Sequence, residues 1–385
     1  MNVHKWMSAR YFVFFMSWGI FLPYWTGWLV DEKGMTIAQA ASIMSIGLIA
    51  RGMSTMFVFP YVARIVSSKA MLQVMAIGTL LAIVAYIPAT SYSSLLIITL
   101  VIHVFYPTLM PALDSAASYL VLNGELKHYG KSRSWGSIGF VVCGMLLTVF
   151  VSQFGNGVIV WGMLAIVAVF TFMLYIPAPS ILTQKPDVTG TKLELFALFK
   201  IEHLPLVFVI VFLLQGQHAT YYNYGYLYLQ NIGSPILIIG LILNIAVIAE
   251  IIFFGKADRL FVNVKVSTIF IIAGIGSLIR WVMVYVFPNV AVFSVSQIFH
   301  AFSFAMSHYA FIQFTNKYVP KDQIALVQGM YSAIALSFST AILTLLGGRL
   351  YEIEPPLAFL GMVICTVPAI MLAVWLKMRM QKSEA

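Results

Sequence analysis

Charged residues are scarce in this sequence. Asp, Glu, Lys and Arg account for 9% of the 385 residues, whereas 61% are hydrophobic, and the mean hydropathy is +0.94. A soluble domain needs a charged surface around its core, so this composition excludes one. Cysteine is scarce too: Cys143 and Cys365 both lie in apolar runs, where we expect no interhelical disulfide.

Motifs typical of nucleotide-dependent and metal-dependent enzymes are missing as well. The sequence contains no Walker loop and no His-Glu-x-x-His spacing, and no stretch is long and polar enough for a large soluble domain. The sequence therefore predicts no enzymatic activity, no cofactor and no metal site.

What the sequence has in abundance is long apolar runs separated by short polar breaks. A helix of about 20 residues crosses a hydrocarbon core about 30 Å thick, so the runs predict an all-α polytopic membrane protein with about twelve crossings. The predicted spans are residues 8–29, 37–63, 70–88, 94–121, 134–154, 158–177, 204–231, 236–262, 266–287, 290–316, 323–348 and 357–377. The longest polar break, residues 178–203, is predicted to link two six-helix bundles, residues 1–177 and 204–385.

The formal charge of +9 raises the question of a nucleic-acid partner, but its distribution favours a membrane explanation. If both termini lie in the cytoplasm, Lys33 and Arg349 fall in outer loops, and Arg51 and Arg280 fall inside spans. The other basic residues gather on the cytoplasmic side, as the positive-inside rule requires. We therefore expect a multi-pass protein with both termini in the cytoplasm and no nucleic-acid partner.

Four formal charges fall well inside predicted spans: Arg51, Asp114, Glu250 and Arg280. A charge at the centre of a bilayer costs about 2.5 to 3.5 kcal/mol on insertion scales, so such residues generally face a wet cavity or a partner. At about 1.5 Å of rise per residue, Glu250 and Arg280 lie at similar depths, and Asp114 lies nearer the cytoplasmic face. We predict one acid and one base in each half, with permanent structural ion pairs as the alternative.

Glu250 is the leading candidate for a proton carrier. A glutamate at the midplane gains or loses its proton when its wetting or its distance from a guanidinium changes, which ties the proton to the conformation. His218, His300 and His308 are further candidates because imidazole changes charge near neutral pH, although each could equally be a hydrogen-bonding residue of the core.

Polar and aromatic side chains on the first and seventh spans are candidates for binding a solute. Gln215, Tyr222 and Asn223 make the seventh span polar on more than one side. Tyr24 and Trp25 could line an apolar or sugar-binding pocket, and an aromatic belt at the membrane interface is the other explanation for Trp25.

Several motifs together resemble the major facilitator superfamily. The resemblance is to the branch of the 3-phenylpropionate transporter and, more distantly, to lactose permease and the nucleoside–proton symporters. The motifs are SWGIFLPYWTGWL, GLIARG, PALDSA, YGKSRSWGSIGFV, LLQGQHATYY, VIAEIIFF, IRWVM, QIFHAFSF and MYSAIA. This resemblance implies the major facilitator fold and a proton-coupled importer of the bacterial inner membrane, which alternates between inward-open and outward-open forms.

The resemblance also implies roles for individual residues. In lactose permease an acid late in the fourth span and an arginine at the start of the fifth grip the sugar, and Asp114 and Arg133 match them. The permease's glutamate, arginine and histidine of spans eight, nine and ten match Glu250, Arg280 and His300.

One position departs from the permease pattern. Ser303 stands where the permease has the glutamate that exchanges the proton. Either Glu250 or His308 takes over that role, or coupling works in another way.

Together, the sequence and the resemblance predict a monomeric proton symporter for a small organic solute. An aromatic monocarboxylate is the leading substrate, because arginine binds carboxylates in a bidentate manner; an oligosaccharide or a nucleoside is the alternative. A channel and an intramembrane enzyme are alternatives of other classes, and charges divided between two halves of one chain favour a carrier over a channel. The predicted proton-coupling residues are Glu250, Arg280, His300 and His308. The predicted substrate-binding residues are Asp114, Arg133, Arg51, Gln215, His218, Tyr222, Asn223, Tyr24 and Trp25.

Overall fold

A computed structural model describes residues 2–126, 129–185, 195–261, 263–320 and 323–384, and its regular elements in these ranges are all helical. Eleven of the described helices are long and apolar enough to cross a membrane, and one more apolar helix is shorter. In chain order they are α1 (Val3–Asp31), α2 (Ile37–Ala63), α3 (Ser68–Tyr86), α4 (Tyr92–Val121), α5 (Lys131–Phe154), the shorter α6 (Val158–Met173), α7 (Leu204–Asn231), α8 (Ile236–Ala257), α9 (Val266–Val286), α10 (Val290–Tyr318), α11 (Leu326–Ile353) and α12 (Pro355–Lys382). Each predicted span coincides with one of these helices, so the predicted all-α membrane fold is confirmed.

Helix starts follow the local sequence. At the start of α2, the Thr36 side chain accepts a hydrogen bond from the backbone N–H of Gln39, and the Gln39 side chain accepts one from the backbone N–H of Thr36. This reciprocal pair satisfies two of the backbone donors that every helix leaves open at its first turn. Asn2 caps α1 with a single hydrogen bond, in which its side-chain Oδ1 accepts from the Lys5 backbone N–H at 3.0 Å.

The chain forms two compact units. The first comprises Met1–Gly190 and Ile236–Leu241 and therefore holds α1 to α6. Within it α1 packs along α5 and α6, and α2 packs along α4. Glycines permit the close approach of α1 and α5: a Cβ atom on Gly19 would lie 2.7 Å from the Phe140 carbonyl oxygen, and one on Gly139 would strike the Phe12 carbonyl oxygen. Small residues commonly allow helix backbones to approach closely in membranes.

The second unit comprises Thr191–Pro235 and Ile242–Ala385 and holds α7, most of α8, and α9 to α12. Within it α9 packs on α10 and α12, and α7 packs on α11 and α12. The predicted division into residues 1–177, 178–203 and 204–385 stays a prediction, and residues 186–194 of the predicted linker lie outside the described residues.

Several of the long helices are irregular near their polar residues. Segments of π-helix occur in α2 (Ser54–Val58), α10 (Ala301–Met306) and α11 (Ile334–Phe338). The α4 helix is broken between Phe105 and Leu109, around Pro107, and α7 is broken between Gly216 and Ala219. Such interruptions are tolerated in membranes where the released backbone groups find partners, and π-helical turns are frequent at functional sites.

Candidate functional site

The irregular part of α10 carries much of the polar chemistry of the second unit. A regular helix ends at Ser296, a turn follows, and the π-helical segment begins at Ala301. His300 directly precedes this segment, and Ser303 lies inside it. Both side chains are directed at Arg280 on α9, so the irregular turn and α9 together build one polar cluster.

Arg280 is the centre of this cluster and is completely buried. Its Nη1 lies 3.0 Å from His300 Nδ1 and donates to Ser303 Oγ at 3.2 Å, while its Nη2 donates to Gln297 Oε1 at 3.1 Å. The faces of two aromatic rings complete the surroundings: the guanidinium carbon lies 4.7 Å from the Tyr221 ring centroid and 4.4 Å from that of Trp281. Neutral acceptors and ring faces therefore stabilise this cation.

Glu250 on α8 approaches the same cluster through His300. Glu250 Oε2 lies 3.8 Å from His300 Nε2, and the side chains are 28% and 5% exposed, respectively. The structure thus brings together three of the predicted proton-coupling residues, Glu250, His300 and Arg280, in the order acid, imidazole, guanidinium. Of these three side chains, Glu250 is the most exposed.

His308, the fourth predicted proton-coupling residue, occupies a different place on α10. Its Nδ1 lies 3.0 Å from the Tyr331 hydroxyl. The Phe304 ring lies between His300 and His308 and is nearly parallel to both, with ring centroids 5.1 Å and 6.3 Å away. His308 is therefore separated from the Arg280 cluster by an aromatic ring.

His218 on α7 belongs to the Arg280 cluster, although the sequence placed it among the substrate-binding residues. Its Nδ1 lies 3.1 Å from the Gln215 carbonyl oxygen and its Nε2 lies 2.9 Å from Ser303 Oγ. The His218 and His300 rings are perpendicular, with centroids 5.2 Å apart. Both ring nitrogens of His218 are thus engaged inside the second unit.

The other predicted substrate-binding residues of α7 contact side chains of the second unit. Gln215 Nε2 donates to Ser307 Oγ at 3.3 Å, and Asn223 Nδ2 donates to Thr344 Oγ1 at 3.0 Å. Tyr222 is half-buried, and its ring stacks on His218 with centroids 5.8 Å apart. Of these three side chains, Tyr222 is the most accessible.

The first unit contains the second acid–base pair. Arg133 Nε lies 3.7 Å from Asp114 Oδ1, and the side chains are 29% and 36% exposed, respectively. The buried Tyr11 donates its hydroxyl proton to the same carboxylate oxygen at 2.7 Å. The Arg133 guanidinium carbon also lies 4.1 Å from the Phe15 ring centroid. The two residues that the resemblance matched to the permease's acid and arginine therefore lie together, and they are set against aromatic rings.

Arg51, another intramembrane base, lies near an aromatic ring of the first span. Its guanidinium carbon lies 5.6 Å from the ring centroid of Trp18 on α1. The π-helical segment of α2 begins three residues later, and the Thr55 hydroxyl donates to the Arg51 carbonyl oxygen at 2.9 Å. Arg51 thus also lies where a helix is irregular.

Tyr24 and Trp25 are buried within the first unit. Trp25 has no exposed surface, and its ring contacts those of Phe21, Trp28 and Tyr86 at centroid distances of 5.4, 4.8 and 5.1 Å. The Tyr24 hydroxyl lies 3.4 Å from the Gly144 carbonyl oxygen. In this conformation both residues serve packing, and their predicted contact with a solute stays a prediction.

Three residues of these clusters were not selected by sequence reasoning as site residues. Tyr11 is one of many aromatic residues in the first span, and Gln297 is one of many polar residues scattered in the apolar runs. Ser303 was noted only as a departure from a family pattern. Gln297 and Ser303 lie three residues before and three residues after His300. This spacing from a candidate histidine was the sequence signal that could have identified them.

Metal binding has no support in the described part of the chain, where no group of three or more His, Cys, Asp or Glu side chains could hold a metal ion. The clusters instead offer hydrogen-bond donors, acceptors and charges at partly exposed positions, which suits the binding of a polar solute or a proton.

Comparison with known proteins gives the family. A profile described as the MFS_1 like family matches residues 4–360 of the chain. The chain belongs to the MFS_1-like family. It is therefore a membrane transporter of the major facilitator superfamily (MFS), as the resemblance predicted.

This MFS transporter is similar along nearly its whole length to transporters found in bacteria. It is 30% identical over 375 residues to the "Probable 3-phenylpropionic acid transporter" of Escherichia coli K12, covering 96% of both chains. It is 25% identical over 380 residues to the "Maltose permease" of Geobacillus stearothermophilus, covering 96% of this chain and 93% of that one. The crystal structure of the nucleoside transporter NupG has the same fold, with a TM-score of 0.81 at 18% identity and coverage of 97% and 98%.

These relatives decide between the classes of function that the sequence left open. They are transporters and not enzymes, so the alternative of an intramembrane enzyme is excluded. Since MFS transporters bind small-molecule substrates, the Arg280 cluster and the Asp114–Arg133 pair are the places in each unit to examine first.

Proposed function

We propose that this MFS transporter is a proton-coupled symporter that imports a small organic solute by alternating access, and that aromatic monocarboxylates are its substrates. The arrangement of basic residues supports a location in the bacterial inner membrane with both termini in the cytoplasm. We also propose that it functions as a monomer.

The observation that carries proton coupling is the position of Glu250. Its carboxylate is partly exposed and lies 3.8 Å from His300 Nε2, while Nδ1 of the same ring lies 3.0 Å from the buried Arg280. An ionised Glu250 is attracted to the nearby cation, whereas a protonated Glu250 is not. Loss and gain of one proton therefore change the electrostatic attraction between α8 and the α9–α10 pair. A coupled carrier requires such a link between the protonation of a residue and the packing of its helices.

The substrate class is supported by Arg133 in the first unit. Its guanidinium is partly exposed, lies 3.7 Å from Asp114 through Nε, and lies over the Phe15 ring. A guanidinium binds a carboxylate in a bidentate manner, and an adjacent aromatic ring offers a surface for an aryl group. The relative named as a probable 3-phenylpropionic acid transporter is consistent with such a ligand.

An oligosaccharide is the second candidate because one relative is named maltose permease. In that case Asp114 would accept hydrogen bonds from sugar hydroxyls, and the aromatic rings would stack on the apolar face of the sugar. A thermal-shift comparison of the purified protein with 3-phenylpropionate, maltose and a nucleoside separates the candidates, since a bound ligand stabilises the folded state. Stabilisation by maltose alone would overturn the proposal of an aromatic acid.

Proton coupling is tested with the Glu250→Gln variant in proteoliposomes. The amide keeps the size of the side chain but carries no exchangeable charge, so we expect loss of accumulation driven by an inward proton gradient, with solute exchange retained. Glu354→Gln, at an exposed acid between α11 and α12, is the matched control and should accumulate solute normally. Accumulation by Glu250→Gln at the level of the unmodified protein would refute the role of Glu250.

A further inference from the structure

Ser303 has no charge to exchange and is completely buried, yet it bridges two of the ionisable groups in the second unit. Its Oγ lies 3.2 Å from Arg280 Nη1 and 2.9 Å from His218 Nε2. The donors and acceptors around it can be assigned because a guanidinium only donates hydrogen bonds and a carbonyl oxygen only accepts them.

The contact with Arg280 fixes the state of His300. Since Arg280 Nη1 must donate, His300 Nδ1 at 3.0 Å must accept and carries no proton. The ring proton of a neutral His300 is then on Nε2, the nitrogen 3.8 Å from Glu250 Oε2. His300 cannot take a second proton on Nδ1 unless Arg280 moves away.

The same reasoning gives His218 the opposite tautomer. His218 Nδ1 lies 3.1 Å from the Gln215 carbonyl oxygen and must therefore carry the ring proton. In the neutral ring, Nε2 is then the acceptor, and the group that faces it is the Ser303 hydroxyl. One lone pair of Ser303 Oγ accepts from Arg280, and its single proton is directed at His218.

We propose that Ser303 is a positioning residue that links His218 to Arg280, in a cluster of two neutral histidines of opposite tautomer, with the proton on Nε2 of His300 and on Nδ1 of His218. His300 Nδ1 then accepts a hydrogen bond from Arg280, whereas His218 Nε2 accepts one from the Ser303 hydroxyl, whose oxygen itself accepts from Arg280. The tautomers follow from the hydrogen bonds alone. The inference rests on the proposed proton coupling only where it leaves Glu250 as the group of the cluster that exchanges the proton in this conformation.

The histidine tautomers are tested by nitrogen NMR of the purified protein labelled with ¹⁵N-histidine, at pH 8 and without solute. His218→Gln and His300→Gln assign the signals among the seven histidines. We expect a protonated Nδ1 for His218 and a protonated Nε2 for His300. A protonated Nε2 on His218, or the same tautomer on both rings, would overturn the proposal even if no Ser303 variant folds.

The role of Ser303 is tested by comparing Ser303→Ala with Ser303→Thr. The alanine variant should move the His218 Nε2 signal toward that of a nitrogen without a hydrogen bond, and should lower the maximal rate of gradient-driven uptake about tenfold. The KM should not change, because Ser303 is completely buried and is proposed to act through His218 and Arg280. Threonine keeps the hydroxyl and should restore both properties; an unchanged signal and rate in Ser303→Ala would refute the role.

These outcomes are distinguishable from a failure of the proposed function. If the unmodified protein shows no solute-driven proton uptake, proton coupling is wrong, but the NMR assignment is unaffected. If proton uptake is present and both histidines have the same tautomer, the Ser303 proposal fails alone.

Discussion

Replacing Tyr11 with phenylalanine tests whether the Asp114 carboxylate is held in position for a solute. The substitution removes one hydroxyl and keeps the ring. In the structure that hydroxyl donates to Asp114 Oδ1 at 2.7 Å, whereas Arg133 Nε lies 3.7 Å from the same oxygen. Tyr11 therefore makes the closer contact with that oxygen, and its loss should release the carboxylate from a fixed orientation.

The size of the effect follows from the exposure of the pair. A hydrogen bond to a charged group is worth about 1.5 to 3 kcal/mol when buried. The Asp114 side chain is 36% exposed, so the hydrogen bond is not fully buried and its loss should be nearer 1 kcal/mol, discounted as for other exposed charges. Since about 1.4 kcal/mol corresponds to a factor of ten, solute affinity should fall about fivefold.

The assay is titration calorimetry of the purified protein with the solute that stabilises it most in the thermal-shift comparison. Tyr106→Phe is the matched control, because Tyr106 is also buried in the first unit and its hydroxyl lies 2.9 Å from Ser17 Oγ, not from a carboxylate. We expect normal affinity for that control. If Tyr11→Phe binds as tightly as the unmodified protein while Asp114→Asn does not bind, Tyr11 has no positioning role.

Two further predictions concern packing in the first unit and are read by thermal unfolding. Gly139→Ala should destabilise the protein by about 1 to 3 kcal/mol, because the added Cβ strikes the Phe12 carbonyl oxygen, whereas Gly255→Ala has nothing within 4 Å and should not destabilise; equal unfolding temperatures for the two variants would contradict the close contact of α1 and α5. Trp25→Ala should lower the free energy of unfolding by about 3 to 5 kcal/mol because Trp25 has no exposed surface, whereas Trp161→Ala, at a residue 55% exposed, should have little effect. Normal stability with lost solute binding in Trp25→Ala would instead support the predicted substrate contact.

The spans were predictable because hydropathy reports directly on burial in a bilayer. Each run of about 20 apolar residues has one solution in lipid, a helix with its backbone hydrogen bonds satisfied internally. The boundaries differ by a few residues, as at the sixth span, where the predicted end at residue 177 compares with Met173. The charges alone predicted only one acid and one base in each half, and the match of Asp114 and Arg133 to neighbouring residues came from the family resemblance.

The detail of the Arg280 cluster was not predictable, because it depends on an irregular backbone. A regular helix advances about 100° per residue, so the directions of His300, Ser303 and Gln297 could not be computed without the turn and the π-helical segment that follow Ser296. The burial of Trp25 was missed for a different reason. Tryptophan is typical of membrane interfaces, of solute pockets and of cores, and composition alone does not separate them.

The two units stabilise their intramembrane charges in different ways, and this difference bears on their roles. Asp114 and Arg133 are about one-third exposed and 3.7 Å apart, and such pairs are typically worth only about 0 to 1 kcal/mol. A solute with its own carboxylate or hydroxyl groups could therefore replace either partner at little cost.

Arg280 presents the opposite case, since it is fully buried and its acceptors are the neutral groups of His300, Ser303 and Gln297. Withdrawing an acceptor from a buried cation is costly, so its position is fixed by the fold. A fixed charge beside a partly exposed glutamate is suited to sensing one proton, whereas a weak, accessible pair is suited to exchanging partners with a ligand. These physical grounds support the proposal that Asp114 and Arg133 bind the solute and that Glu250 couples the proton.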